Sequence, residues 1–590
     1  MLPAPAPRTN CDDFPVAQDI IHGVAMEKYL SRNWLCCGLI GLFAVLLWGR
    51  TVPYGFVWDD SIYIVQNKSI RSLGNIPGFF YKRDSQSAEK HPTSYRPLRN
   101  TAYALLYALD GHDEPRPWIF HLANILCHGA VSVLLFLAAL SLWQRLEGGI
   151  PMAARVAALL IGLGFAAHPV ASEVVCWAKS LDDMMAAAFV LASAMSLLKW
   201  NEGGRGYVAA LVWFLLAVFS KDSAVPFALA VFFILHGFHR LPWGRSARLT
   251  VPFLLVALFY AAFQRLVMGH LSQCPPLSGS YGQTLIDMFP VAPEYLRLLW
   301  GIPPFCFDYN YMLTEPPHSI LSAGVLGGGV LVLIFSTLTM WMWRRPNWRM
   351  AAFGLLWVGL FLLPVSNLVP MAQYMAERFL YLPLMGFLLA LGGVFLNFSS
   401  LRPGALVAAS ALVVVWAGAS LGRMEIWRDE LTLFVTTEMD HPGIKRVENN
   451  AVWAIFELPQ MKVWQTASTL TAAQAGQIIS TLQKARQIYP ENDLLTTRLA
   501  LTEARIGRWQ DAVWLLELAT RQNPSSAERW LDLAGVSRLA GQTAKARAAC
   551  ARSLQLNPNY DEARQLQTKL EEGAKPVPSP GATLKRPLQK

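Results

Sequence analysis

Several signatures are missing from this chain, and each absence removes a class of protein. Its eight cysteines form no Cys-x-x-Cys and keep no metal-like spacing with histidine, so neither a zinc module nor a thiol redox pair is expected. No basic stretch is interleaved with aromatics on a soluble face, despite a net charge of +10, so nucleic acid is not an expected partner. Residues 1–33 are too polar for a secretory leader, and the first apolar stretch has no small-residue cleavage site. That stretch is expected to stay as a membrane anchor. Two inverted halves with mid-membrane charges, the mark of many transporters, are not evident either.

What is present is apolar length. Of 590 residues, 54% are hydrophobic, and the mean hydropathy is +0.32. Soluble domains average about 45–50% apolar even counting glycine. Runs near the ~20 residues a spanning helix needs fall at 34–49, 119–143, 153–168, 182–199, 207–220, 223–238, 249–267, 320–343, 350–365, 379–398 and 404–422. With the amino terminus cytoplasmic, the short inner loops 144–155, 199–206, 237–248, 344–349 and 399–403 hold eleven Lys and Arg, and the short outer loops 168–181, 220–223 and 366–378 hold three. That is the positive-inside pattern. The expected fold class is therefore all-α and polytopic. Residues 1–33 form a cytoplasmic segment, and 34–422 form a transmembrane domain of about eleven spans with long external loops at 50–118 and 268–319. The stretch after Tyr95-Arg-Pro-Leu-Arg99, from Thr101 to Leu109, suits an amphipathic helix in the interface. Residues 284–300 read as an external surface or re-entrant helix. Cys274 and Cys306 share one external loop, which leaves a disulfide open.

Past 422 the composition changes. Pro490, Pro524 and Pro558 are spaced by 34 residues, the tetratricopeptide period. Leu499, Ala500, Ala512, Leu516 and Ala519, and then Trp530, Leu533, Ala534, Ala546 and Ser553, fall where helix-pair contacts belong. Residues 423–572 are thus expected to form a short external α-solenoid, with a disordered tail at 573–590.

The unusual polar residues collect at the outer ends of the spans. Ionisable groups at a membrane boundary are costly, and are functional candidates for that reason. Asp59 and Asp60 follow the first span and read as a general base or a carboxylate pair, or else as a helix cap or hydrated loop acids. His168-Pro169 with Glu173 marks a turn at the third exit, either an interfacial kink or a second site carboxylate. Lys221-Asp222 lies between two short spans, where a helix cap competes with a lipid-phosphate contact. Arg378 sits just inside an apolar run. Its alternatives are a structural Glu377–Arg378 bridge or a guanidinium fork on a phosphate. Arg96 and Arg99 are further candidates of that kind.

Taken in order, Phe56-Val-Trp-Asp-Asp60, Tyr95-Arg-Pro-Leu98, His168-Pro-Val170 with Glu173 and Trp177, Ser220-Lys-Asp-Ser-Ala224, Leu363-Pro-Val-Ser-Asn367, Ala376-Glu-Arg-Phe-Leu-Tyr-Leu-Pro383 and Trp427-Arg-Asp-Glu-Leu-Thr-Leu433 resemble the transmembrane O-mannosyltransferases with tetratricopeptide repeats. More broadly they resemble the GT-C glycosyltransferases. The resemblance implies an inverting transfer of mannose or another hexose from a polyprenyl-phosphate or dolichyl-phosphate donor to a hydroxyl on the non-cytoplasmic side, with protein Ser/Thr the expected acceptor (O-glycosylation). It implies Asp59 or Asp60 as the base and His168 and Glu173 flanking acceptor and donor. Arg96, Lys221 and Arg378 would face the lipid phosphate. No obligatory metal is expected, with Mg²⁺ or Mn²⁺ left open. The repeats would hold a protein or peptide acceptor. A bacterial inner membrane with periplasmic repeats is the expected location, and the endoplasmic reticulum membrane is the alternative. A non-catalytic scaffold presenting the repeats, or a lipid or sugar transporter, are the competing functions.

Overall fold

A backbone that enters lipid must satisfy its own N–H and C=O groups, so apolar runs of this length resolve as helices. The computed structural model of the chain describes residues 32–89, 92–201, 204–272, 274–309, 318–399, 403–440, 445–467 and 469–571. Most of the expected amino-terminal segment, and the tail at 573–590, lie outside the described residues. Among those described, the elements are helical throughout. Two compact units divide at Asp440.

In the first unit, eight helices among the described residues are long and apolar enough to cross a membrane. The bent pair Met152–Ala167 and Pro169–Cys176, angled at 45°, makes a ninth if counted as one span. Gly204–Ser220 and Asp222–Gly237 are apolar but shorter, the second reaching only about 24 Å at 1.5 Å per residue. Pro169 removes a backbone donor at the bend, and the His168 side chain accepts from Val170 N at 3.3 Å to close the turn. The amphipathic stretch becomes the helix Pro97–Asp110, with Tyr103 and Ala104 buried and Leu105 and Leu109 exposed. The segment 284–300 becomes two short helices, of which Val291–Leu299 buries Val291, Tyr295, Leu298 and Leu299 on one face. Cys274 and Cys306 are unbridged. The unit runs on past the last apolar helix, Pro403–Met424, through Glu430–Asp440, whose Leu433 and Phe434 are buried.

Without a hydrophobic drive between helices in lipid, close backbone approach holds a bundle together. The helices Arg349–Leu362 and Tyr381–Ser399 show how close. A Cβ on Gly354 would lie 2.4 Å from Ala390 N and from Gly386 O, and one on Gly393 would lie 2.5 Å from Ala351 N. Trp357 Nε1 ties the pair by donating to Leu382 O at 2.9 Å.

The second unit has a structural counterpart to the proline period. Helices begin at Asp493, Ala527 and Asp561, and Asn492 and Ser526 cap the first two through Leu495 N and Arg529 N. Gly507 and Gly541 turn the chain at φ +84° and +77°. Leu499, Ala500, Ala512, Leu516, Ala519, Leu533, Ala534, Ala546 and Ser553 are buried as expected. Trp530 is not in that core. It is half-buried, and its indole donates to Pro524 O at 3.0 Å.

Gly354→Ala is expected to destabilise the first unit by about 1–3 kcal/mol through overpacking, whereas Gly418→Ala, with nothing within 4 Å, should be near neutral. Thermal unfolding of the two detergent-solubilised variants checks this.

Candidate active site

The short loop after the first span is held from both ends of Asp60. This carboxylate is fully buried. One oxygen accepts from Val57 N at 2.9 Å and the other from Lys179 N at 2.8 Å. It thereby pins residues 57–60 to the turn 177–180. That turn is fixed in its own right: Asn124 Nδ2 donates to Trp177 O at 2.8 Å, and Tyr103 OH to Lys179 O at 2.7 Å. Burial pushes the Asp60 carboxyl up to about 8, against the two backbone donors that favour its charged form.

Asp59 differs from its neighbour. Its side chain is 28% exposed, and Lys179 Nζ stands 3.5 Å from Oδ2. Trp58, just before it, has φ +53°, an outlier for a bulky residue. The surroundings hold it there: its ring stacks on Trp177 at 4.6 Å and meets Phe307 edge-on at 4.9 Å. Backbone strain of this kind persists where packing over-determines it, and here it fixes the direction in which Asp59 leaves the chain.

The other candidates are paired with acids. Arg378 donates to Glu173 from both its guanidinium and its backbone N, the latter at 2.8 Å, and to Gln373 Oε1. Its guanidinium lies 5.7 Å from the Trp58 ring centroid and 5.6 Å from that of Trp177. Of the five N–H donors an arginine side chain carries, Glu173 and Gln373 occupy two. Lys221 pairs with Asp183 and stands 3.8 Å from Asp182. Arg96 pairs with Asp182 and lies 4.0 Å from Asp222. Arg99 is fully buried, 3.7 Å from Asp182. His168 spends both ring nitrogens on backbone, with Nε2 at 3.1 Å from Leu299 O and Nδ1 accepting from Val170 N. It is a structural cap packed on Trp416 at 4.5 Å.

Thus Asp59, Asp60, Glu173 and Arg378 meet around the Trp58–Trp177 stack. Arg96 and Lys221 meet each other through Asp182 and Asp183, and His168 serves the bend. The bridge between sequence neighbours Glu377 and Arg378 does not form. Glu377 binds Arg423 at 2.8 Å and Tyr309 OH at 3.2 Å instead. The sequence reading missed Asp182, Asp183 and Arg423. The signal for the first two was available: they are paired acids at the end of an apolar span, as Asp59-Asp60 are paired acids in the loop after one. Among the described residues, no three His, Cys, Asp or Glu side chains gather as metal ligands would. The carboxylates here face cations or backbone donors, and no step is routed through a divalent ion.

No family model matches the chain. It is similar in sequence to protein O-mannosyl-transferase TMTC4 of Mus musculus, 31% identical over 195 residues, 31% of this chain and 26% of that protein. Protein O-mannosyl-transferase F38B6.6 of Caenorhabditis elegans is 25% identical over 389 residues, 64% of this chain and 54% of that protein. Protein O-mannosyl-transferase TMTC3 of Mus musculus is 25% identical over 464 residues, 71% of this chain and 48% of that protein. The resemblance carried by the motifs therefore holds, and the matches span from about a quarter to about half the length of these relatives.

Breaking the Lys221–Asp183 pair tests its structural weight. Lys221→Met is expected to cost about 3–5 kcal/mol by stranding a buried carboxylate, and adding Asp183→Leu should recover most of it. Unfolding midpoints of the single and double variants give the answer.

Proposed function

We propose that this chain is a membrane glycosyltransferase that moves a hexose, mannose being the sugar in its relatives' names, from a polyprenyl-phosphate donor to a hydroxyl. Protein Ser or Thr is the acceptor this reading favours. The observation that carries it is the contrast between the two aspartates. One is buried and spent on backbone, while its neighbour is accessible, aimed by a strained tryptophan and set beside a lysine and an arginine.

In this reading Asp59 is the base. It takes the acceptor proton as the hydroxyl oxygen bonds to the anomeric carbon. The bond from that carbon to the phosphate oxygen breaks from the opposite face, and its electron pair leaves with the lipid phosphate. Inversion follows from that geometry. The charge growing on the phosphate is met by the spare donors of Arg378 and by Lys179, preorganised on the tryptophan faces. Arg96 and Lys221, each paired with an acid, hold the floor of the site and are not the first contacts of the phosphate. The loop-charge asymmetry favours the non-cytoplasmic side for this reaction. The helical hairpins of the second unit, read as tetratricopeptide repeats, would present a groove to an acceptor protein. The matched relatives named above are animal proteins, so the endoplasmic reticulum stands beside the bacterial inner membrane as its location.

The test is transfer from polyprenyl-phosphate mannose by the reconstituted full chain. Asp59→Asn is expected to lower turnover by about 10²–10⁴-fold with an unchanged unfolding midpoint. Asp60→Asn should lower both, because an amide cannot accept from both backbone donors. Full turnover in Asp59→Asn would remove Asp59 as the base, and no transfer by the unaltered chain would leave the scaffold reading in its place.

A further inference from the structure

At the opposite end of the same helices two arginines share one cavity. The helix Phe227–Gly237 starts just after Lys221 and ends in a cavity of about 410 Å³ lined by His236, Gly237, Arg240, Trp343, Pro346 and Arg349. Three helix ends meet there, including the amino terminus of Arg349–Leu362. Arg349 Nη1 reaches Gly237 O at 3.3 Å, and Arg240 Nη2 reaches Leu146 O at 3.3 Å. Neither is in an ion pair among the described residues. Arg349 Nε is buried with no hydrogen-bond partner. The stretches 237–250 and 343–350 contain no Asp or Glu.

The cavity is built rather than left over. Arg240 adopts φ +56°, a conformation a non-glycine residue rarely holds. The turn around it is fixed by Leu241 N donating to Leu235 O at 3.2 Å and by the His236 ring at 3.0 Å from Leu241 O. Gly237 is required, since a Cβ there would lie 2.6 Å from the Trp343 ring. Two guanidiniums in one cavity repel unless an anion sits between them. An unpartnered buried guanidinium N–H is costly for the same reason. Both are relieved by one phosphate, whose oxygens match the arginine fork and are favoured at a helix amino terminus.

We propose that this cavity holds the phosphate-bearing headgroup of an anionic phospholipid, drawn from the leaflet on the basic side of the membrane. The volume exceeds what a bare phosphate fills, and Trp343 lies at a span end where aromatic side chains mark headgroup depth. Basic pockets between spans on that side are suited to such headgroups. The site is distinct from the Asp59 loop, and its occupancy does not depend on the transfer reaction.

The experiment reads lipid retained by the full chain in native mass spectrometry, after reconstitution in phosphatidylcholine with or without phosphatidylglycerol. Wild type is expected to keep phosphatidylglycerol in preference. Arg240→Gln with Arg349→Gln should weaken that preference at least about tenfold, the factor that ~1.4 kcal/mol represents. Arg344→Gln, an exposed cation on the same loop outside the cavity, should not. Should the double variant lose its unfolding transition, Arg240→Gln alone, at an exposed position, must still reduce the preference. Equal retention of the two lipids by wild type, or undiminished preference in the variants, would overturn the proposal. Inorganic phosphate added to phosphatidylcholine-only samples separates the sources. If it raises the unfolding midpoint as far as phosphatidylglycerol does, the ligand is a soluble phosphate and the lipid assignment fails.

Discussion

Carboxylates buried at the ends of apolar helices set the terms for everything else in the first unit. Removing a charge from water costs several kcal/mol unless a partner and further hydrogen bonds compensate. The chain meets that cost locally. Asp182 and Asp183 face Arg96, Arg99 and Lys221, Glu173 faces Arg378, and Glu377 faces Arg423. These pairs join elements far apart in sequence, so they fix relative helix positions in a way that lipid-exposed leucines cannot. A pair of this kind adds little net stability. What it imposes is uniqueness, since a slip of either helix strands a charge.

Against those tight pairs Asp59 stands apart. Asp59 has a lysine at 3.5 Å rather than a tight partner. Arg378 keeps spare donors, and both lie beside aromatic faces. The tryptophan stack carries the strained residue that directs Asp59. In the proposed reaction, rigidity in the surroundings supports reactivity at one carboxylate, at the cost of a backbone conformation that the unfolded chain would not choose.

Much of the fold was legible because lipid makes strong demands. Apolar length located the eight helices among the described residues that are long enough to cross a membrane, and the 34-residue proline period located the hairpins of the second unit. The site was legible only as a set of suspects. Asp59 and Asp60 look alike in sequence, and burial separates them in the structure. His168 carried a chemical name and turned out to cap a bend. Glu377 and Arg378 are adjacent, yet successive residues point in different directions, so each found its partner on another helix. Asp182-Asp183 was overlooked because it sits inside an apolar span. Its burial carries the same cost as that of Asp59-Asp60 at a membrane boundary.

The most direct measurement is an experimental structure of the full chain with a non-hydrolysable polyprenyl-phosphate sugar bound. Phosphate density against Arg378 and Lys179, with the anomeric carbon presented towards Asp59, is the result this account predicts. Density for the sugar-phosphate remote from Asp59, with the Trp58–Trp177 stack undisturbed, would contradict it.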